Sequence, residues 1–135
     1  MTDIDFSSLH VMVVEDEEFM RRLATNVLRE LGVTTTIIMA DGQEALDFLK
    51  YGDVRTDLIL CDLQMPRMSG LQFLTEVRKG HANCEPDIPV IVLTGHAEEE
   101  TVRAAVKVGI DGYLVKPLSV NALSVRMSAI MAKRR

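Results

Sequence analysis

One carboxylate in the middle of the chain directly follows a run of apolar residues. Residues 58 to 61 read Leu-Ile-Leu-Cys, and Asp62 comes next. A short uninterrupted apolar run is typical of a strand that is buried on both faces of a sheet. A carboxylate at the end of such a strand is costly to bury unless it lies at the carboxyl edge of the sheet, where open α/β sheets bind their ligands. Asp62 is therefore the first candidate for a reacting group.

Three other apolar runs also end in polar residues that could do chemistry. Glu15 and Asp16 follow the first run, Thr94 ends a later one, and Lys116 ends the last. Taken singly, such residues are usually helix starts or solvated loop charges. If the strands are parallel, however, their carboxyl ends meet at one edge, and all of these side chains lie there with Asp62.

The charges of this group predict a metal ion. Two carboxylates about 4 Å apart repel by roughly 4 kcal/mol at an effective dielectric constant near 20, so three of them cost on the order of 10 kcal/mol. A single lysine does not offset that repulsion. An oxygen-only site without Cys or His favours Mg²⁺ over zinc. A hard cation beside a carboxylate, a lysine and a hydroxyl is the usual set for phosphoryl transfer, in which Asp62 is either nucleophile or metal ligand.

Strand and helix patterns alternate along the whole chain, which predicts an α/β fold. The crossovers require parallel strands, and right-handed connections then give a three-layer, doubly wound (βα)5 sandwich with a five-stranded sheet. The apolar stripe of the fourth helix consists only of Val102, Ala105 and Val106, which predicts a weakly anchored helix. The predicted strands are 10–14, 34–39, 57–62, 89–94 and 113–116, and the predicted helices are 20–31, 41–52, 69–80, 98–108 and 120–131.

Length and composition restrict the class of protein. The 135 residues predict one domain with a short leader over 1–8, and the net charge of −5 argues against a nucleic-acid surface. No apolar run approaches the length of a membrane span, so we expect no membrane association and a cytoplasmic protein, monomeric or weakly dimeric. Cys61 and Cys84 form no disulfide framework, and Cys61 is expected in the core.

Four segments in order resemble the receiver domains of two-component response regulators, closest in length to the stand-alone chemotaxis type. The resemblance extends from about residue 10 to residue 135 and implies the strand order 2-1-3-4-5 known for this family. The segments are V-V-E-D at 13–16, L-C-D-L-Q-M-P-R-M-S-G at 60–70, V-L-T-G at 92–95 and G-Y-L-V-K-P at 112–117.

The resemblance implies that Asp62 accepts a phosphoryl group. The donor would be a phosphohistidine on a sensor histidine kinase or phosphotransfer protein, or a small phosphodonor such as acetyl phosphate. Asp16, Asp62 and the backbone carbonyl of Gln64 would hold Mg²⁺, and Glu15 would act through water. Apart from its own phosphorylation and dephosphorylation, such a domain is not an enzyme.

The resemblance also assigns roles to residues near the acceptor. Lys116 would pair with phosphoryl oxygens and be joined to Pro117 by a cis peptide bond. The phosphoryl group would draw in the Thr94 hydroxyl, Tyr113 would rotate inward behind it, and Gly95 would leave room for the donor.

Three positions vary within this family. Glu15 stands where many members have Asp. Its longer side chain could ligate the metal directly or change the metal affinity, and the sequence leaves both alternatives open. Gln64 and His96 occupy positions that modulate autodephosphorylation. His96 either positions the attacking water, obstructs it, or has no role.

We expect the phosphorylated protein to signal through the surface of the fourth helix, fifth strand and fifth helix. This surface carries Lys107 and Tyr113 and would bind an unknown downstream protein.

A phosphate shuttle or sink, or the receiver part of a larger regulator, remains an alternative function. A magnesium-dependent phosphatase with an aspartyl phosphate is disfavoured because Gln64 stands where such enzymes need a second Asp. A degenerate receiver is disfavoured because Asp62 and Lys116 are both present.

Overall fold

A computed structural model of the chain describes residues 4–82, 84–95 and 99–134, without the side chain of Glu99. Strands and helices alternate through these residues, which confirms the predicted order, and the predicted boundaries differ from the observed ones by at most a few residues. The elements are β1 (His10–Val14), α1 (Glu18–Glu30), β2 (Thr35–Met39), α2 (Gly42–Tyr51), β3 (Leu58–Asp62), α3 (Gly70–Arg78), β4 (Val90–Thr94), α4 (Glu99–Val108), β5 (Gly112–Val115) and α5 (Val120–Lys133).

The five strands form one parallel sheet in the order β2-β1-β3-β4-β5. This confirms the doubly wound fold and the strand order. Helices α1 and α5 cover one face, where their buried side chains form a core with Leu58 and Leu60. Helices α2, α3 and α4 cover the other face, where Ile59 and Cys61 point. Alternate residues of β3 thus enter two different cores, which explains its uninterrupted apolar run.

Two predicted helix starts differ in how far their capping boxes are formed. At α3 the Ser69 side chain accepts the Gln72 amide, and the Gln72 side chain accepts the Ser69 amide, so the box is complete. At α2 the Asp41 side chain accepts the Glu44 amide at 2.8 Å. The Glu44 carboxylate, however, accepts the amide of Ala40 at 3.4 Å, one residue before the cap. The box at α2 is therefore only half formed.

Among the described side chains, helix α4 buries fewer than any other helix. Among its described side chains Ala105 alone is fully buried, and the helix packs on α3. The prediction that Val106 belongs to the buried stripe is wrong, because 58% of its surface is exposed. Val106 directly follows Ala105, so the two side chains point about 100° apart around the helix axis, and of the two only Ala105 faces the core.

The segment before β1 contributes to the core. Phe6 is buried with side chains from α1 and α5, and its carbonyl accepts the amide of Leu9 at 3.1 Å. Phe6 therefore packs as part of the domain. Among the described residues, no helix combines the length and the apolar character needed to cross a membrane.

Candidate functional site

The carboxyl ends of β1, β3, β4 and β5 lie side by side at one edge of the sheet. Val14 is paired with Cys61, so the next residues, Glu15 and Asp62, are neighbours across β1 and β3. Asp62 is paired with Leu93, one residue before Thr94, and Thr94 is in turn paired with the residue before Lys116. The backbone hydrogen bond from the Lys116 amide to the Thr94 carbonyl, 2.8 Å long, continues this ladder past β5.

Three carboxylates meet at this edge. Glu15, Asp16 and Asp62 each place one carboxylate oxygen within 4.8 Å of the others. Glu15 is 0% exposed and Asp62 is also buried, whereas Asp16 is open to solvent. Buried carboxylates this close together repel strongly unless a cation lies between or beside them.

Among the described residues, Lys116 supplies a positively charged ammonium to this carboxylate cluster. Its Nζ lies 2.6 Å from Oε1 of Glu15 and 3.2 Å from Oδ2 of Asp62. The peptide bond between Lys116 and Pro117 is cis, as the resemblance implied. One positive charge against three negative charges leaves the cluster with two negative charges unbalanced. The all-oxygen donor set therefore fits a hard divalent cation such as Mg²⁺.

Burial and neighbouring charges change the acid–base properties of this group. Removal from water raises the pKa of Glu15 to about 7, and the negative charge of Asp62 acts in the same direction. The ion pair with Lys116 opposes this rise. Burial alone would lower the pKa of Lys116, but the hydrogen bond to Glu15 and the charge of Asp62 outweigh it, so this pKa is raised. Lys116 therefore stays charged at neutral pH.

The loop after β3 folds back tightly on the acceptor strand. The Gln64 amide donates to Oδ1 of Asp62 at 3.2 Å, and the Gly70 amide donates to the carbonyl of Leu63 at 3.0 Å. A Cβ on Gly70 would lie only 2.0 Å from the backbone oxygen of Asp62. Only glycine allows this approach, so Gly70 helps to hold the loop against Asp62.

A second ion pair at the same edge had no signal in the sequence. The guanidinium of Arg67 pairs with the buried carboxylate of Asp41, which also caps α2. Arg67 has a φ of 66°, a left-handed conformation that is unfavourable for a residue with a side chain. This pair attaches the β3–α3 loop to the start of α2. The two residues lie 26 positions apart, so no local pattern could have predicted the contact.

The structure describes three more of the predicted site residues. Thr94 is buried at the end of β4. Tyr113 is 39% exposed and occupies the strand position opposite Val92. The space where a side chain would extend from Gly95 is open. His96 lies outside the described residues.

A family model described as response regulator receiver domain matches residues 11–128 of the chain. The chain belongs to this family. Receiver domains are signalling modules of two-component systems rather than conventional enzymes, and they typically bind Mg²⁺. The acidic cluster of Glu15, Asp16 and Asp62 agrees with that property.

Individual relatives of this receiver domain include chemotaxis proteins. Chemotaxis protein CheY-3 of Vibrio cholerae serotype O1 is 32% identical over 126 residues, which are 93% of this chain and 94% of that protein. The structure of chemotaxis protein CheY4 of Vibrio cholerae superposes with a TM-score of 0.79 at 29% identity, covering 90% of this chain and 98% of that chain.

A plant structure is also similar. The receiver domain of the histidine kinase CKI1 from Arabidopsis thaliana, solved in complex with Mg²⁺ and BeF3⁻, superposes with a TM-score of 0.80 at 30% identity and covers 94% of this chain and 92% of that chain. The resemblance to CheY-like receiver domains is thereby confirmed.

Proposed function

We propose that this receiver domain is a phosphorylation-dependent switch in which Asp62 accepts the phosphoryl group. The observation that carries the proposal is the position of the Asp62 carboxylate, buried at the end of a central strand and 3.2 Å from the Lys116 ammonium. The donor is a phosphohistidine on a sensor histidine kinase or phosphotransfer protein. Both cysteines are free, which agrees with a reducing compartment such as the cytoplasm.

Mg²⁺ is the proposed cofactor. Asp16, Asp62 and the backbone carbonyl of Gln64 would hold it, and Glu15 would act through water or directly. The two unbalanced negative charges and the all-oxygen cluster support this assignment, and the similar CKI1 receiver domain was solved with Mg²⁺ and BeF3⁻. When bound, the ion neutralises charge on the transferring phosphoryl group.

The chain's own residues perform the transfer. A carboxylate oxygen of Asp62 forms a bond to phosphorus, the bond between phosphorus and the donor histidine nitrogen breaks, and its electron pair stays on that nitrogen. Lys116 needs only a small movement from Oδ2 of Asp62 to reach a phosphoryl oxygen. The Thr94 hydroxyl, at the end of the adjacent strand, then turns toward the phosphoryl group, and Tyr113 follows it inward.

The proposed output surface consists of α4, β5 and α5. Four of the eight exposed large apolar side chains among the described residues lie on these elements, and the exposed Lys107 directly follows one of them on α4. Exposed apolar side chains on a surface can form part of a protein-binding site. A downstream protein would bind there when the phosphoryl group shifts α4, which is held by little apolar contact. The exposed apolar residues are Val106, Tyr113, Val115 and Val125.

Labelling with a small phosphodonor tests the acceptor assignment. We expect acetyl phosphate and Mg²⁺ to add the mass of one phosphoryl group to the wild-type protein and none to Asp62→Asn. Asp53→Asn, which alters an exposed loop carboxylate, is the matched control and should be labelled normally. Labelling of Asp62→Asn at the wild-type level, or no labelling of the wild-type protein with Mg²⁺, would contradict the proposal.

A further inference from the structure

The carboxylate of Glu15 depends on one cation for its charge balance. Its Oε2 accepts the backbone amide of Glu17 at 3.2 Å. The close partner of its Oε1 among the described residues is the Lys116 ammonium at 2.6 Å. The nearby guanidinium of Arg21 donates to the backbone carbonyl of Glu15, not to its carboxylate.

Lys116 is closer to Glu15 than to the proposed acceptor. The two distances are 2.6 Å to Glu15 and 3.2 Å to Asp62. If Lys116 moved to a phosphoryl group with no replacement, Glu15 would be left as a buried and unpaired carboxylate, which is strongly unfavourable. Transfer of Lys116 to a phosphoryl oxygen is therefore favoured when a metal ion beside Glu15 replaces the ammonium as its partner.

We propose that Mg²⁺ and Lys116 compete for Glu15, so that metal binding releases Lys116 from this carboxylate toward the phosphoryl group on Asp62. Glu15 is then a positioning residue that acts through Lys116. The inference rests on the proposed function, since it concerns how the same site is prepared.

Competition of this kind must be reciprocal. If Mg²⁺ weakens the pair between Glu15 and Lys116, the pair must weaken Mg²⁺ binding by the same factor. Removing Lys116 should therefore tighten Mg²⁺ binding, and this gain should depend on the presence of the Glu15 charge. If Lys116 acted only by repelling the metal from the whole cluster, the gain would be independent of Glu15.

A double-mutant cycle on Mg²⁺ affinity tests the inference. Calorimetric titration of wild type, Lys116→Met, Glu15→Gln and the double variant gives the four affinities. We expect Lys116→Met to tighten Mg²⁺ binding by about tenfold in the wild-type background and by less than about threefold in the Glu15→Gln background. Equal factors in both backgrounds, or weaker binding by Lys116→Met, would overturn it.

A measurement on the wild-type protein makes the test independent of whether every variant folds. The side-chain ammonium of Lys116 gives its own NMR signal, which is assigned by its absence in Lys116→Met or by its proximity to Pro117. We expect Mg²⁺ alone, without phosphodonor, to shift this signal in the wild type while the signals of Lys50, Lys107 and Lys133 stay in place. An unchanged Lys116 signal at saturating Mg²⁺ would overturn the inference.

The two proposals fail in different ways. If the wild type binds Mg²⁺ and is phosphorylated on Asp62, but the cycle is additive and the Lys116 signal does not move, only the competition is wrong. If the wild type binds no Mg²⁺, the proposed cofactor and the competition both fall.

Discussion

The domain holds a partly buried basic side chain at each edge of its sheet, and the two are partnered very differently. Lys116 lies at the carboxyl edge beside Glu15 and Asp62, in a cluster with more negative than positive charge. Arg78 lies at the amino edge, near the starts of β4 and β5, and its side chain is 16% exposed. It pairs with Asp111 at 3.6 Å.

Arg78 also donates hydrogen bonds to uncharged backbone groups. Its guanidinium donates to three backbone carbonyls at 2.6 to 2.9 Å, and Asp111 in turn accepts the Val90 amide at 2.8 Å. The cluster around Arg78 is thus complete, whereas the cluster around Lys116 has capacity for another cation. A saturated polar cluster stabilises a fold, and an unbalanced one provides a site for a ligand. The three carbonyls belong to Pro86, Ile88 and Gly109.

The largest effect on stability is expected from breaking the complete cluster. Arg78→Ala leaves Asp111 and three carbonyls without their donor, so the free energy of unfolding should fall by about 3 kcal/mol. Urea unfolding measures this change, and Mg²⁺ affinity should stay within about twofold of wild type. Arg22→Ala, which removes an exposed helix pair with Glu18, is the control and should cost less than about 0.5 kcal/mol. A loss of Mg²⁺ binding in Arg78→Ala would show that the two edges are not independent.

Much of the fold could be predicted because the relevant signals are local. Apolar runs of about five residues marked the strands. Gly32, Gly80 and Gly109 lie at or directly after the ends of three predicted helices, and the structure gives all three a positive φ angle. The candidate phosphorylation site could be located because the carboxyl ends of parallel strands lie at the same edge of the sheet. The polar clusters could not be predicted in detail. Arg78 and Gly109 are 31 residues apart, and their contact depends on side-chain reach in the finished fold.

The second, smaller expected effect is a pH dependence of stability that comes from Glu15 in the cluster at the carboxyl edge. Burial raises the pKa of Glu15 from an ordinary value of 4.5 to about 7, so between these values the folded protein binds more protons than the unfolded chain. The free energy of unfolding of the metal-free protein should therefore fall as the pH rises from about 4.5 to about 7, by on the order of 2 kcal/mol from this group.

Urea unfolding across this range, with a chelator present, gives the test. The difference in stability between wild type and Glu15→Gln should change with pH, because only the wild type carries the titrating carboxylate. A constant difference from pH 4.5 to pH 7 would contradict the account of Glu15.

The smallest effect concerns an ion pair at the carboxyl edge that we regard as structural. Arg67→Ala should cost about 1–2 kcal/mol, since it leaves the buried Asp41 carboxylate without its guanidinium. Arg67→Gly should be about 1 kcal/mol more stable than Arg67→Ala, because glycine tolerates the left-handed φ at this position. Thermal unfolding compares the two variants. Equal stabilities would show that the backbone at residue 67 is not strained.

The central claim is that the unbalanced cluster at the carboxyl edge binds Mg²⁺ and a phosphoryl group on Asp62. Titration of the protein with beryllofluoride, followed by ¹⁹F NMR with and without Mg²⁺, measures this directly. We predict a bound fluoride signal in the wild type only when Mg²⁺ is present, and none in Asp62→Asn. The same bound signal in Asp62→Asn, or its full appearance in the wild type without Mg²⁺, would contradict the account.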